Sequence, residues 1–549
     1  SIVRGESHKN NPQVLENEKN VTIIIRPDIE DRSFHETVKA FMGPEEKWPA
    51  AITAYKNGFD FLLANKNIFK FVISKGKFIH EPEWHYMIER SLEAQRGLDS
   101  ASDLFSPGYF KVSCLGGETV LLNAVTGKNQ DIQIDFKKNN VILDSGNFIK
   151  QMDFPDALYK SLDAFIVDRG RDKSVIAGYP WFLDWGRDSL IFCRSLIEMR
   201  RFSDAKAILR LFGRFENNGT LPNMICGNDA GNIETSDAPL WFFTCCKDLI
   251  EKEKSHDFLS EKLENRSVFD ILLSISESLI SGTKTGVVAD PETFLLYSPP
   301  HFTWMDTNFP AGSPRQGYPV EIQALWYNAM ILLASIDTGN RDIWQKRSKI
   351  LQTAVLDLFY IKESGYFSDC LHANQGVGAK KAVPDDALRP NQLFLITLGV
   401  INKEKIVQKC VETCLELLVP GAIRSIADRR VETPLNIFYN GKLLKDPHLP
   451  YSGVYKGDED TLRKPAYHNG TAWTWQFPVF CEAWAKAFGK KSVSTSLSWL
   501  GSMIHLMRKG AAGYIPEILD GDFPHTPRGC DAQAWGTSEA ARVLHKLCH

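Results

Sequence analysis

The sequence predicts a mainly α-helical protein: an (α/α)6 barrel, which is a toroid of six helical hairpins, preceded by a β-sandwich-like N-terminal domain. Two observations carry this prediction. As far as about residue 148, short runs of β-branched and aromatic residues alternate with turns that contain Gly or Asn. From there to the C-terminus, twelve segments show helical periodicity. We therefore expect two domains, 1–148 and 149–549.

The N-terminal domain is predicted from its short apolar runs, which are of strand length. Asn57-Gly58 and Gly116-Gly117 are turn signals that separate such runs. Helices are also expected here, near 33–41 and near 47–56. The expected strands are 21–25, 59–63, 69–73, 109–112 and 119–122.

The C-terminal domain is predicted from twelve helical segments, several of which have start signals such as Ser236-Asp237 and Pro319. Twelve helices in six hairpins close into a toroid. Long connections in a compact domain usually carry function, so we expect the site on the loops between these helices. The expected helices are 155–168, 188–198, 203–217, 236–253, 266–281, 320–337, 341–360, 391–399, 403–418, 470–488, 492–508 and 531–547.

Composition excludes several classes of protein. The net charge of −3 and the lack of a basic stripe argue against a nucleic-acid partner. No run approaches the ~20 apolar residues of a membrane span, so no membrane partner is expected. The 11 cysteines have no framework spacing, which favours free thiols in a reducing, cytoplasmic compartment. No metal or phosphate-loop motif is present, so neither a metal nor a cofactor is expected.

Two carboxylates on loops suggest the chemistry. Asp306 ends the segment TWMD beside Trp304, and Glu517 follows Pro516 in a turn rich in glycine and aspartate. Hydrolysis of a glycosidic bond needs one protonated carboxyl group for the leaving oxygen and one ionised carboxylate for water. Burial beside an indole raises the pKa of a carboxyl group, which suits Asp306 to the acid role.

Other residues are candidates for binding sugar rings and hydroxyl groups. Indole faces wall a sugar ring, and charged or amide groups fix its hydroxyls. A structural alternative stays open for several of them: Asp188, Asp237 and Glu321 stand at helix starts, where capping or the helix dipole explains an acidic residue. His468 is equally explained as a loop histidine with satisfied hydrogen bonds. The candidates are Trp181, Asp184, Arg187, Asp188, Asp237, Trp304, Glu321, Asn391, Gln392, His468 and Trp473.

Taken together, these segments resemble the amylo-α-1,6-glucosidase part of glycogen debranching enzymes. The resemblance covers about 170–545 and includes, in family order, GYPWFLDWGRDS, ETSDAPLWFF, TWMD, RPNQ, YHNGTAWTW and IPEILDGDFPHTPRGCDAQAWG. It implies an (α/α)6 barrel and inverting hydrolysis, with glycogen or a branched α-glucan oligosaccharide as partner. By motif, Asp306 would be the general acid and Glu517 the general base. Arg187 and Asp188 would hold the terminal glucose, and Asp237 is the weaker alternative for the acid.

The chain departs from the family in its N-terminal part. The usual threonine-arginine and tyrosine-histidine-glycine motif is not found, which predicts a truncated or divergent β-rich domain. No segment resembles the glucanotransferase barrel of the two-activity eukaryotic enzyme. Two other functions stay open at this stage: a glucoamylase-like exo-glycosidase acting on α-1,4-glucans, and an inactive glycan-binding barrel.

Overall fold

The computed structural model describes residues 20–32, 36–62, 64, 67–95, 98–116, 118–127, 154–227, 229–307 and 315–549. The chain divides into two compact units, Ser1–Met152 and Asp153–His549. The first unit is rich in strands and the second is mainly helical. In the ranges described, no helix has both the length and the apolar composition needed to cross a bilayer.

The first unit contains two antiparallel sheets that share one core. One sheet has the order β1-β6-β5 and the other β2-β3-β4-β7. Phe59 and Phe61 of one sheet join Phe78, Phe105 and Phe110 of the other in the same apolar cluster. The strands are β1 (Asn20–Ile25), β2 (Ile52–Tyr55), β3 (Gly58–Leu62), β4 (Ile68–Ile73), β5 (Lys77–Glu89), β6 (Ala101–Leu115) and β7 (Leu122–Gly127), with helices α1 (Pro44–Ala50) and α2 (Ser91–Gln95).

Several details of this unit differ from the sequence-based expectation. The helix expected near 33–41 is not formed by 36–39, and a single 3-10 turn covers Ala40–Met42. The helix expected near 47–56 ends at Ala50, because β2 pairs with β3 through a hairpin in which Tyr55 faces Gly58. Tertiary pairing therefore overrides the local helical pattern. The 13-residue strand β5 was not expected.

The second unit contains a helix in each of the twelve predicted segments. Two short helices, α7 and α13, were not expected. The helices are α3 (Phe154–Ser161), α4 (Gly186–Glu198), α5 (Phe202–Arg214), α6 (Ala238–Glu253), α7 (Asp257–Ser260), α8 (Val268–Ser281), α9 (Val320–Ile336), α10 (Arg341–Phe359), α11 (Leu393–Thr397), α12 (Glu404–Thr413), α13 (Lys464–Tyr467), α14 (Gln476–Phe488), α15 (Val493–Gly501) and α16 (Ala534–Cys548).

Six of these helices contact one another in cyclic order. The sequence of contacts is α4, α6, α9, α11, α14, α16 and back to α4. Helices α5, α10, α12 and α15 each contact a ring helix that is adjacent in sequence, and α3 contacts α16. Helix α4 is buried on all sides, because every residue from Gly186 to Ile197 is buried. A helix that is buried all round forms the inner layer, whereas an amphipathic one covers it.

Short antiparallel strands fix the loops between the helices. The largest such sheet has five strands and pairs Trp473 with Ile518, next to Glu517. Its strands are, in order, Leu418–Val419, Ala422–Arg424, Ala472–Trp473, Ile518–Leu519 and Pro527–Arg528. The others are Ile166–Arg169 with Asp172–Val175, Gly178–Tyr179 with Ala532–Gln533, Asp184–Trp185 with Met224–Cys226 and Asp229–Asn232, Lys262–Leu263 with Arg266–Ser267, Val288–Ala289 with Leu296–Tyr297, Gly317–Pro319 with Cys370–His372 and Val383–Pro384, Tyr360–Ile361 with Tyr366–Phe367, and Phe438–Tyr439 with Lys442–Leu443.

Candidate active site

One cavity of the second unit brings six of the sequence-predicted residues together. Its volume is about 60 Å³. The predicted residues among its lining are Arg187, Asp188, Trp304, Asp306, Trp473 and Glu517. Six further residues also line it: Ala177, Phe182, Trp185, Tyr467, Gln533 and Trp535. We call this space the active-site cavity.

The starts of two ring helices and one strand pair supply this lining. Helix α4 begins at Gly186, which places Arg187 and Asp188 in its first turn. Helix α16 begins at Ala534, directly after Gln533. Trp473 and Glu517 meet because their strands pair next to each other. The residues therefore converge from segments far apart in the chain onto one end of the helical ring.

Arg187 connects the two candidates for the general acid. This side chain is buried, and its Nε donates to Asp237 Oδ2 at 2.5 Å. Its Nη1 donates to Asp306 Oδ2 at 3.0 Å, and its Nη2 donates to the Thr303 carbonyl at 3.0 Å. Thr235 donates its hydroxyl to the other oxygen of Asp237. Asp237 is thus enclosed behind Arg187, whereas the Asp306 side chain keeps 28% of its surface exposed.

The carboxyl groups of Asp306 and Asp188 both hold protons more tightly than usual. Burial raises the pKa of Asp306, and the charge of Arg187 opposes this rise. The pKa of Asp188 is raised to about 8. Burial is the largest cause; the charge of Arg187 opposes the rise, and the carboxylates of Asp306 and Glu517 add to it. Three carboxyl groups around one small cavity repel each other when ionised, so they favour protonation of at least one.

Glu517 accepts hydrogen bonds from two donors. The Tyr467 hydroxyl donates to Oε1, and the backbone N–H of Cys530 donates to Oε2 at 2.9 Å. Donors to a carboxylate stabilise its ionised form. Burial and the Glu517 charge raise the pKa of Tyr467 well above its usual range, so this phenol stays a donor. Gly529 has φ +69°, and a Cβ there would lie 2.2 Å from Glu517 Oε2.

Indole rings form the apolar wall of the cavity. Trp304 packs edge-on against Trp473, with ring centroids 5.0 Å apart, and against Trp535 at 6.4 Å. His468 stacks on Trp473 at 5.1 Å and is completely buried. Burial and the charge of Arg389 hold the pKa of His468 well below its usual range, so the ring is neutral. The structure therefore places His468 behind the indoles rather than at an accessible sugar contact.

Two predicted amide side chains, those of Asn391 and Gln392, lie outside the cavity lining and make hydrogen bonds to the protein. Asn391 Oδ1 accepts from Trp304 Nε1 at 2.7 Å, which fixes the orientation of that indole. Gln392 Oε1 accepts from the backbone N–H of Phe367 at 3.0 Å. Both amides are fully buried. Their contacts explain them as supports of the framework.

The remaining predicted residues are engaged in buried pairs or lie beside the lining. Glu321 pairs with Arg315, with a shortest contact of 2.5 Å, which agrees with the structural alternative for this residue. Asp184 pairs with Arg169 at 2.9 Å. Trp181 is buried and immediately precedes Phe182, which lines the cavity.

Tyr467 is the most consequential residue that the sequence did not assign. It belongs to the motif YHNGTAWTW, which does not distinguish this position from its neighbours. A tyrosine that directly precedes a candidate histidine was the available signal. Within the described ranges, no group of three or more His, Cys, Asp and Glu side chains is arranged to hold a metal ion.

Comparison with protein families gives two matches that together span most of the chain. The family model described as amylo-alpha-1,6-glucosidase matches residues 147–542. The model described as glycogen debranching enzyme N terminal matches residues 12–121, although the motif expected there is missing. No curated protein matches the chain significantly in sequence.

Solved structures include distant matches to this chain. An uncharacterized conserved protein from Thermus thermophilus is 14% identical, with a TM-score of 0.48, covering 71% of this chain and 99% of its own. A glycosidase in complex with glucose is 9% identical, with a TM-score of 0.46 and coverage of 72% and 96%. A wild-type glycosidase is 9% identical, with a TM-score of 0.47 and coverage of 71% and 96%.

Proposed function

This chain belongs to the amylo-alpha-1,6-glucosidase family of glycogen debranching enzymes, and on that premise we propose that it releases glucose from the α-1,6 branch points of glycogen or limit dextrin. The proposed mechanism is inverting and uses two carboxyl groups. One observation carries it: Asp306 and Glu517 line the same cavity together with Trp304 and Trp473. We further propose that the enzyme acts in the cytoplasm and without a metal or cofactor.

Asp306 is the proposed general acid. Burial favours its protonated form, and the proton passes to the oxygen of the glycosidic bond as that bond breaks. Arg187 then stabilises the carboxylate that remains, because its Nη1 already donates to Asp306 Oδ2. All three hydrogen bonds of Arg187 go to protein oxygens, so its proposed role is to position Asp306. Asp188 is left as the group that accepts or donates to hydroxyls of the terminal glucose.

Glu517 is the proposed general base. Tyr467 and the Cys530 N–H stabilise its ionised form, which takes a proton from the water that attacks the anomeric carbon. A single displacement by water inverts this centre, so α-linked substrate gives β-glucose. The indoles of Trp304 and Trp473 wall the sugar ring.

The fold proposal follows the same family assignment. We propose that the second unit is an (α/α)6 barrel, which the cyclic contacts of α4, α6, α9, α11, α14 and α16 support. The first unit, with two sheets on one core, supports a β-sandwich-like domain. We place the domain boundary at 148/149, close to the division at Met152.

Two other functions are compatible with the same residues. A glucoamylase-like enzyme would release glucose from linear α-1,4-glucans, and an inactive barrel would bind glucan without hydrolysis. Incubation with an α-1,6-branched limit dextrin and, separately, with a linear maltooligosaccharide distinguishes the three. Debranching predicts glucose mainly from the limit dextrin. Glucose mainly from the linear chain would support the glucoamylase alternative, and binding without glucose release would support the inactive barrel.

Matched variants assign the activity to this cavity. Asp306→Asn and Glu517→Gln are the test variants, and Asp342→Asn and Glu363→Gln are controls because both are exposed. Glucose release must disappear in the first pair and persist in the second. Equal activity in all four would reject the proposed site.

A further inference from the structure

A second, larger cavity lies in the helical unit beside the active-site cavity. Its volume is about 400 Å³. Binding sites for small molecules usually have ~300–1,000 Å³, so this cavity is large enough for one or two sugar rings. Its lining includes Arg315, His372, Val383, Asp385, Arg389 and Ile437. We call it the His372 cavity.

The lining has an apolar part and a polar part. Val383, Leu435 and Ile437 are among the apolar contributors, and Ile437 is buried. The polar part is built from buried charged groups, which include Asp385 and Arg389. Such a surface suits a ligand with an apolar face and a hydroxylated edge, which is the character of a pyranose ring.

His372 contributes a defined hydrogen-bonding group. Its Nε2 lies 3.0 Å from Asp385 Oδ2, and the imidazole keeps 27% of its surface exposed. Asp385 is itself held, because its other oxygen accepts from the Asp369 N–H at 2.9 Å. A carboxylate at Nε2 selects the tautomer with its proton there, which leaves Nδ1 as an acceptor. A sugar hydroxyl is a matching donor.

The charges of the cluster argue against an anionic ligand. Arg315 and Arg389 bring two positive charges, whereas Asp369, Asp385 and Glu321 bring three carboxylates. The cluster therefore has no surplus of positive charge to attract a phosphate or a carboxylate. Hydroxyl groups, which both donate and accept, fit a surface of mixed donors and acceptors.

Arg389 is fixed in the polar wall by protein oxygens. Its Nη1 donates to the carbonyls of Ser425 and His468, and its Nη2 donates to Asn469 Oδ1 at 2.7 Å. Its Nε lies 3.5 Å from Asp369 Oδ2, within ion-pair distance. These contacts hold the polar wall of the cavity in place.

The walls of the two cavities share hydrogen bonds. Arg315 lines the His372 cavity, and its Nη1 donates to Thr303 Oγ1 at 3.1 Å. The carbonyl of Thr303 accepts from Arg187, which also holds Asp306. On the other side, Arg389 donates to the carbonyl of His468, whose ring stacks on Trp473.

We propose that the His372 cavity is a second sugar-binding site that takes one or two glucose units of an α-1,4-linked glucan segment. The choice of an α-glucan rests on the proposed function, because the substrate brings such segments next to every branch. The glucose ring in this cavity could belong to a glucan chain or be the free glucose product. We assign the cavity to a glucan chain, since its volume accommodates more than one ring.

The test is a binding titration with maltotriose, and separately with glucose, on the full chain carrying Asp306→Asn so that no sugar is consumed. We expect two maltotriose sites. His372→Ala should weaken one site by about tenfold, the loss of roughly one hydrogen bond. Ile437→Trp should fill the cavity and abolish that site. His256→Ala is the matched control, because His256 is exposed, and it should keep both sites.

Every outcome decides the assignment. One maltotriose site in the parent, unchanged by His372→Ala and Ile437→Trp, would overturn it, and circular dichroism confirms that each variant is folded. Glucose filling the second site as tightly as maltotriose would overturn the chain assignment in favour of product. Two sites without glucose release by the unsubstituted chain would reject the proposed function and support this inference. Glucose release by the unsubstituted chain together with a single maltotriose site would support the proposed function and reject this inference.

Discussion

Arg187 holds Asp306 and Asp237 on one guanidinium group, with Nη1 3.0 Å from Asp306 Oδ2 and Nε 2.5 Å from Asp237 Oδ2. Asp237 is fully enclosed, whereas Asp306 lines the active-site cavity and remains partly exposed. Asp306, the predicted general acid, and Asp237, the weaker alternative, therefore differ in surroundings. That difference predicts different consequences for the same chemical change.

Asp306→Asn should lower kcat at least ~10²-fold, which is the low end of a general-acid contribution. Affinity for limit dextrin should change little, because the shape of the side chain is kept. Initial-rate kinetics and a binding titration measure both quantities. Asp342→Asn, at an exposed position, is the control and should match the unsubstituted chain.

Asp237→Asn should mainly reduce stability, by about 1.5–3 kcal/mol, because a buried hydrogen bond between charged groups loses its carboxylate partner. Unfolding in urea, followed by fluorescence, gives this value. If Asp237→Asn lowered kcat more than Asp306→Asn while stability stayed unchanged, Asp237 would be the acid and the present assignment would be wrong.

Tyr467→Phe should lower kcat by about 10–100-fold, because a hydrogen bond to a charged group contributes roughly 1.5–3 kcal/mol. The variant removes the hydroxyl that donates to Glu517 and keeps the ring. The acidic limb of the pH–rate profile should move to higher pH, since a base without this donor takes up a proton more readily. A merely structural tyrosine would leave that limb unmoved. Tyr360→Phe is a control on a strand of another loop.

Gly529→Ala should reduce activity more than tenfold by displacing Glu517, because the new Cβ would lie 2.2 Å from Oε2. Gly227→Ala is a matched control: its φ of +60° is close to the +69° of Gly529, but its Cβ meets nothing within 4 Å. Both variants carry the same backbone strain, so the comparison isolates the clash. Equal losses of activity would show that strain alone, and not the position of the carboxylate, is responsible.

Asp188 should make stability fall as pH rises from about 4 to about 8. An unfolded aspartate has a pKa of ~3.9, whereas burial raises the pKa of Asp188 to about 8 in the folded chain. Between these values the folded chain holds a proton that the unfolded chain lacks. The free energy of unfolding should therefore fall by up to about 1.4 kcal/mol per pH unit.

Asp188→Asn removes this titration, so the difference between the two chains isolates it. Denaturant unfolding at pH 5, 6, 7 and 8 gives the two curves. The two plots of unfolding free energy against pH should converge or cross, because only the unsubstituted chain loses stability through Asp188 as the pH rises. Parallel curves would mean that the Asp188 carboxyl group is ionised in the folded chain throughout this range.

Part of the fold could be predicted because its signals are local. The segments around Gly186–Glu198 and Val320–Ile336 carry apolar residues at helical spacing, and each forms a ring helix. The segment near 47–56 shows where a local pattern fails to predict the element that forms. Its residues 52–55 form a strand, because the hairpin with Gly58–Leu62 outweighs a weak helical preference.

The candidate site was predictable to a similar extent. The motifs predict Asp306 and Glu517 as site residues. They do not distinguish Tyr467, because its role depends on a partner 50 residues away. His468 has the local appearance of a sugar ligand, and its full burial behind Trp473 follows only from packing. Glu321 fitted both binding and helix-start explanations equally, until its pairing with Arg315 was known.

Local pattern and motif are sufficient to predict the family, the helical segments and the residue types for two-carboxylate chemistry. Which residues share a cavity and which are enclosed depends on tertiary packing. Arg187 and Asp306 are 119 residues apart, and no local pattern encodes their hydrogen bond. The desolvation that raises the pKa of Asp188 and Asp306 arises only when distant segments pack together.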